Sequence, residues 1–308
     1  MTAKILSLGD VVRVLEDLYP LEYAEEWDEP GLIVGDVNWP VQKIYCAVDP
    51  TELTVEDAIR QGAQLMIVHH PLYFKATHTV AGSTFRGHLV TRLIENHCGL
   101  WVGHTNVDSA PRGQGVACVE ALGLRDCGPL VPRKGDQQHS VSHNAPGNEG
   151  NEHHEQNSVH AVHTNDHNSG AAGLGRVGEL DSPVSLADFA RRVSEALPAT
   201  ASPIQVSGDV DRQISRVAVL PGSGDSEIAA AAASGAQVYV TSDLRHHPVL
   251  DARQETDLAF INTPHAAIEK LVFPLMMQDV PTALEKRYGA SVDMELTDIN
   301  TDPWNMRV

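Results

Sequence analysis

Aromatic residues are scarce, at 5% of 308 positions. Cysteine is scarcer: Cys46, Cys98, Cys118 and Cys127 are the only four, and no two form a CxxC pair. In a chain this long, that excludes a disulfide-built scaffold and points to reduced structural thiols. Basic residues are outnumbered, with 22 Lys+Arg against 41 Asp+Glu and a formal charge of -19. Such a surface repels phosphate backbones and anionic lipid, which argues against a nucleic-acid partner and against a membrane-surface role. No apolar run approaches the roughly 18 residues of a spanning helix. The first residues, MTAKILSLGDVV, carry no cationic leader followed by an apolar stretch. The expected location is therefore the cytoplasm.

What is present is a globular composition, 42% hydrophobic and 20% charged, with 16 histidines. That supplies a core for one or two domains and rules out wholesale disorder. Apolar spacing predicts a helix over residues 8–18. KIYCAVD (43–49), QLMIVHH (64–70) and GLWVGHTNVD (99–108) read as short buried strands. Helices are predicted from Thr51 to Gly62 and over 84–97. Alternation of strand and helix predicts an α/β fold with a largely parallel sheet. Beyond residue 170 the pattern resumes. Helices are expected over 186–197, 225–234 and from Pro264, strands over 216–220, 237–241 and 258–262, and an edge strand over 291–298.

Between these halves lies RKGDQQHSVSHNAPGNEGNEHHEQNSVHAVHTNDHNSG, nearly devoid of large apolar residues. It holds His139, His143, His153, His154, His160, His163 and His167. Such a segment buries too little surface to offset its chain entropy. The expected organisation is a first α/β lobe over 1–132, a disordered His-rich insertion over 133–170 and a second α/β lobe over 171–308. The insertion is read as a linker, with loose metal recruitment as the alternative.

Three polar pairs close predicted strands or open the helix beyond one. His69-His70 ends QLMIVHH before Pro71. Neighbouring strand residues point to opposite faces, so both can serve one site only where the strand ends and turns. His104 and Asp108 lie in GHTNVD. His265 and Glu269 are one turn apart at the start of a helix, with Thr263 expected as N-cap and Pro264 as its first residue. Taken singly, each has a structural explanation: a tautomer-fixed histidine, a turn-capping aspartate, an exposed i,i+4 pair. Together, imidazoles and carboxylates without thiolate suit Zn, Mn, Fe or Ni. The set His69, His70, Asp108, His265 and Glu269 exceeds the need of one zinc. It would serve two divalent ions per subunit, with Asp108 and Glu269 as bridges. An acidic protein that takes an anionic substrate also needs the local positive charge such ions bring. His104, His246 and His247 are candidate proton-transfer residues. The last two belong to TSDLRHHP, where Asp243 is a further candidate and a capping role is the alternative.

Two glycine motifs are softer. PGSG (221–224) joins a strand to a helix and could hold an anion, although it lacks a P-loop lysine. Gly173-Leu-Gly175-Arg-Val-Gly178 matches GxGxxG literally, but it follows the insertion rather than a strand. It is read as a turn with packing glycines.

EWDEPGLIVG (26–35), IVHHPLYF, GHTNVD, GLGRVG, LPGSG, VYVTSDLRHHPVLDA and NTPHAAIEK occur in an order that resembles the Nif-three-like dinuclear-metal proteins, often labelled GTP cyclohydrolase type-two homologues. The resemblance spans both halves apart from the insertion. It implies two similar α/β lobes with a two-metal site in the cleft between them, and assembly as a toroidal homohexamer. By motif position His69, His70, Asp108, His265 and Glu269 match the metal ligands, and His104 a further site histidine. Longer members carry an inserted domain where this chain has its short His-rich stretch, so that domain's activity does not transfer. Pro30 and Ser242 stand where an aliphatic residue and a glycine are common. The implied function is a metal-dependent hydrolase acting on C–N bonds of a nucleotide or similar heterocyclic phosphate. The alternative is a non-catalytic metal carrier or interaction scaffold.

Overall fold

A computed structural model describes residues 4–133 and 170–308. The expected disordered insertion and its seven histidines lie outside the described residues. The first sheet has five strands: β1 (Gly31–Val34), β2 (Lys43–Ala47), β3 (Leu65–Val68), β4 (Gly99–Val102) and a C-terminal strand, Asp293–Leu296. Its order places Asp293–Leu296 at one edge, then β2, β3 and β4, and β1 at the other edge. The four strands from Asp293–Leu296 to β4 are parallel, and β1 is antiparallel.

Helices cover both faces, which is why the strands read as unbroken apolar runs. Ile44 and Cys46 face a core with Trp101, helix α1 (Leu8–Leu18) and the late helix Val272–Tyr288. Tyr45 and Ala47, one residue out of phase, face α2 (Glu52–Arg60) and α3 (Phe85–Glu95). α1 starts in a capping box: Ser7 Oγ accepts from the Asp10 amide and Asp10 accepts from the Ser7 amide, both at 3.1 Å.

After β4 come two further helices, α4 (Thr105–Ser109) and α5 (Gln114–Ala121). The second sheet comprises β5 (Arg125–Asp126), β6 (Arg176–Ser185), β7 (Gln205–Ser207), β8 (Gln213–Ser223), β9 (Val238–Ser242) and β10 (Ala259–Thr263), in the order β7-β10-β9-β8-β6-β5. Its centre, β8-β9-β10, is parallel. α6 (Leu186–Ala196) packs Phe189 and Val193 on one face. α7 (Ile228–Ala233) and α8 (His246–Glu255) place Ala231 and Ala252 on the other. The chain then runs through α9 (His265–Glu269) and α10 (Val272–Tyr288) to β11 (Asp293–Leu296).

The α/β architecture matches the expected class, and 291–298 does form an edge strand. Three local details differ from the sequence reading. α10 and β11, grouped by sequence with residues 171–308, pack in the first core and the first sheet. GLGRVG is strand rather than turn: Arg176 opens β6, and only Gly173 and Gly175 take positive φ. Thr263 does not cap a helix. Its hydroxyl bonds Ser242 Oγ at 2.9 Å and Thr241 O at 3.2 Å, and Pro264 takes the cap position instead.

Two helical segments join the sheets. α5 gives Val116 and Ala117 to the first core, Cys118 and Val119 to the second. α9–α10 gives Ala267 and Ile268 to the second core, Val272 and Phe273 to the first. The Arg176 guanidinium is buried across the same junction, donating to the carbonyls of Ala110 and Pro111 on one side and Gly173 and Gly175 on the other. A buried arginine is tolerated here because carbonyl oxygens take up its Nη donors and the Asp126 carboxylate lies 3.5 Å from its Nε.

Candidate metal centre

His69 and His70 follow β3 directly. Both backbone amides donate to one acceptor, the Val48 carbonyl, at 3.1 and 2.9 Å. That shared bond ends the regular pleat, so two consecutive side chains turn to one side. The His69 ring donates from Nδ1 to the Gly103 carbonyl at 2.8 Å. Since a carbonyl only accepts, Nδ1 carries the proton and Nε2 faces inward.

The other three imidazoles repeat this arrangement with carboxylates. His70 Nδ1 lies 2.6 Å from Asp49 Oδ1, His265 Nδ1 2.7 Å from Asp243 Oδ2, and His104 Nδ1 3.0 Å from Asp28 Oδ2. An imidazole held this way at one nitrogen presents the other as a basic, oriented ligand atom. The supports are themselves built in. Asp28 also accepts from the Thr105 amide at 3.1 Å and from its hydroxyl. Thr301 donates to the second oxygen of Asp49. Asp243 adopts a left-handed backbone, φ 55°, at the end of β9. Aspartate tolerates that region better than most residues, and here it turns the carboxylate toward His265.

The free nitrogens of His69, His70 and His265 converge on Glu269, a carboxylate 3% exposed. Its Oε1 is 3.0 Å from His265 Nε2 and 3.4 Å from His69 Nε2, and its Oε2 is 3.0 Å from His70 Nε2. His70 Nε2 and His265 Nε2 are 3.2 Å apart, and Asp108 Oδ1 is 3.7 Å from His69 Nε2. Ligand atoms of His69, His70 and Glu269 all lie within 4.8 Å of one another, a spacing able to hold a metal ion. Oε2 of Glu269 and Oδ1 of Asp108 are buried without a hydrogen-bond partner. An unsatisfied buried carboxylate oxygen is costly, so two of them among imidazole nitrogens fit a cation-binding donor set.

The charges are strongly coupled. Burial favours the neutral acid at Glu269, but the adjoining His69 and His70 hold its carboxyl well below the ordinary range. Burial likewise lowers His70, yet Glu269 and the hydrogen-bonded Asp49 push it up to about 11. His265, bonded to the same glutamate and to Asp243, is pushed up to about 9 against the pull of burial. Burial raises the Asp108 carboxyl, only partly offset by His69 and His104.

His104 closes one side, its ring centroid 5.3 Å from that of His69 and 6.0 Å from that of His70. Gln114 donates to the Glu269 backbone carbonyl at 2.9 Å, tying α5 to α9. Gly222 passes beside the carboxylate: a Cβ there would sit 2.6 Å from Glu269 Oε1, and φ is +78°. The PGSG motif therefore owes its first glycine to this close approach. Its second, Gly224, leaves room for the Thr241 and Tyr239 hydroxyls. The anion-binding role expected for the motif is not supported. The turn that follows is acidic, with Asp225 and Glu227, and Asp225 is paired with Arg245.

His69, His70, His104, Asp108, His265 and Glu269 are thus brought together. His246 and His247 are not. They are exposed on the first turn of α8, contact each other edge to face, and make no hydrogen bond to the cluster among the described residues. Sequence reasoning passed over Asp49 and Asp28 as supports. Asp28 lay inside the quoted EWDEPGLIVG run, whereas Asp49 had only its place at the end of the predicted strand 43–49 as a signal. A cavity of about 430 Å³ borders His265 and Asp243, with Trp304 and Arg307 of the C-terminal segment in its wall.

Comparison with known proteins shows the family. A model of the family described as Duf34/NIF3 (NGG1p interacting factor 3) matches residues 6–303. The chain belongs to this family. A Streptomyces coelicolor relative named "GTP cyclohydrolase 1 type 2 homolog" is 37% identical over 301 residues, covering 98% of this chain and 94% of that protein. A Mycobacterium tuberculosis relative of the same name is 32% identical over 374 residues, covering 98% and 97%. Among solved structures, a Bacillus cereus protein related to NIF3 superposes with a TM-score of 0.78 at 25% identity, over 99% of this chain and all of that one. In this Duf34/NIF3 chain, no helix among the described residues is long and apolar enough to cross a membrane.

Proposed function

We propose that this Duf34/NIF3 protein is a hydrolase dependent on two divalent metal ions, acting on a nucleotide or similar heterocyclic phosphate. The observation that carries the reading is the shared layout of the four imidazoles. Each has Nδ1 engaged by an oxygen, and those of His69, His70 and His265 turn Nε2 toward the buried carboxylates of Glu269 and, for His69, Asp108. His69, His70, Asp108, His265 and Glu269 are the residues that would hold the ions in this reading. Bound there, the ions supply Lewis acidity and water that ionises near neutral pH. His104 moves the proton: Asp28 fixes its Nδ1, leaving Nε2 to accept from the attacking water and donate to the leaving nitrogen. The printed name of the curated relatives, GTP cyclohydrolase 1 type 2 homolog, supports a nucleotide as substrate. The cavity beside His265 offers space for it. A homohexamer is the assembly proposed, checked by analytical ultracentrifugation.

The test is metal analysis of purified protein together with turnover of GTP and related nucleotides. Glu269→Gln should lose bound metal and turnover together. Equal turnover in a metal-depleted Glu269→Gln protein would overturn the mechanism. Full metal content with no turnover of any nucleotide would leave a metal carrier or scaffold, the role that the family's interaction-derived description favours.

A further inference from the structure

In a chain with so few aromatics, several large rings are spent on the core: Trp101, Phe189, Phe260 and Phe273 are fully buried. Trp27 and Phe74 are 62% and 56% exposed. Both stand at the same place. Trp27 meets the His104 ring at 5.8 Å and 77°, and Phe74 meets it at 5.9 Å and 85°. They arrive from separate segments, one just before β1 and the other just after β3, so no local sequence rule pairs them. Each near-perpendicular contact takes up little of the ring, and more than half stays open to solvent.

Neither is a loosely held surface side chain. Asp28, next to Trp27, is pinned by His104 and by the amide and hydroxyl of Thr105. Two residues before Phe74, Leu72 is buried and its carbonyl accepts from Arg86 Nε at 2.6 Å. Two pre-positioned apolar faces kept in water are disfavoured unless a ligand covers them. Their common neighbour, His104, is the ring that adjoins His69 and His70.

We infer that Trp27 and Phe74 form an aromatic clamp that grips the planar heterocycle of a nucleotide and sets it against His104. The clamp deepens the reading of the cluster as a metal centre and rests on it. Base–aromatic stacking needs a π-face, which a sugar phosphate lacks, so the clamp discriminates the base rather than the phosphate. Its two rings act by packing, which makes them binding residues that leave the metal ligands untouched.

The test uses the full-length protein loaded with zinc, titrated calorimetrically with guanosine monophosphate and separately with ribose 5-phosphate. Zinc content of every preparation is measured in parallel. Wild type should bind the nucleotide more tightly than the sugar phosphate. Trp27→Ala and Phe74→Ala should each weaken the nucleotide by about tenfold while zinc content and ribose 5-phosphate affinity stay put. Trp27→Phe and Phe74→Tyr should recover most of the loss. Unchanged nucleotide affinity in both alanine variants overturns the clamp, as does equal weakening of the two ligands. Dissociation of the assembly with nucleotide binding intact also overturns it, in favour of a subunit contact. Failure of the wild type to take up zinc sinks the metal centre itself, and the zinc assay reports that separately.

Discussion

The same tripeptide, His-His-Pro, occurs in both halves of the molecule and does two different things. At 69–71 it ends a buried parallel strand, both amides share the Val48 carbonyl, and both rings are anchored at Nδ1. At 246–248 it opens an exposed helix, and its two rings meet edge to face with no hydrogen bond to the cluster among the described residues. Local composition is identical, so the difference comes from position. The first pair sits at the carboxyl end of a central strand, where an α/β sheet opens toward ligands. The second sits one loop beyond β9, and Asp243, three residues earlier, is the residue that reaches the cluster.

Breaking the first pair should have the largest effect. His70→Ala should abolish stoichiometric metal binding, whereas a His246→Ala/His247→Ala double variant should keep it, both by elemental analysis. Loss of metal in the double variant would erase the contrast. Next in size are the supports. Asp49→Asn and Asp243→Asn keep their shape but lose the charge behind His70 and His265. They should weaken metal affinity by about 10–100-fold in a chelator competition, with secondary structure unchanged by circular dichroism.

Protons sharpen the comparison further. In the metal-free protein His70 and His265 are pushed up to about 11 and about 9, so both are charged at neutral pH. A metal needs the neutral imidazole. Loading zinc near pH 7 should therefore release protons into a weakly buffered solution, and affinity should climb with pH toward about 9. The sign reverses for the metal-free fold. Raised histidine values stabilise it fully below about 6.5, and the gain fades as pH rises through about 9 and then about 11. His70→Ala should flatten that alkaline loss in a thermal-melt series.

Gly222→Ala probes the wall of the cluster. Its Cβ would meet Glu269 Oε1 at 2.6 Å from a left-handed backbone, costing on the order of 1–3 kcal/mol and metal affinity besides. Gly62→Ala is the control: it also has positive φ, but its Cβ would have open space, so it should lose stability alone. The smallest effect concerns thiols. Burial pushes Cys46 and Cys98 up to about 12, while Cys127 is half-buried. A thiol reagent at pH 8 should modify Cys127 first in the folded protein, as peptide mapping would show.

Much of this was legible before folding. Apolar runs and a helix start such as Thr51 mark buried strands and helices, because period and capping chemistry act over a few residues. His265 and Glu269 are paired by helix geometry alone, one turn apart. Less legible were α8, α5 and β1, whose weak periodicity is overridden by packing. β11 was readable as an edge strand but not as a neighbour of β2, some 250 residues earlier, since strand pairing at that separation leaves no local mark. Asp49 and Asp28 were passed over for the same reason: a carboxylate becomes a histidine's support only when a distant loop delivers that ring within 3 Å.

Residue types and their short-range spacing thus determined, unaided, that the chain would build an α/β fold carrying imidazoles and carboxylates at strand ends. Only the tertiary structure decided which of two identical His-His pairs joins Glu269, and which nitrogen each ring turns inward. Those choices depend on hydrogen bonds and burial between segments far apart in the chain, and such contacts do not exist until both sheets are packed against α5 and α9.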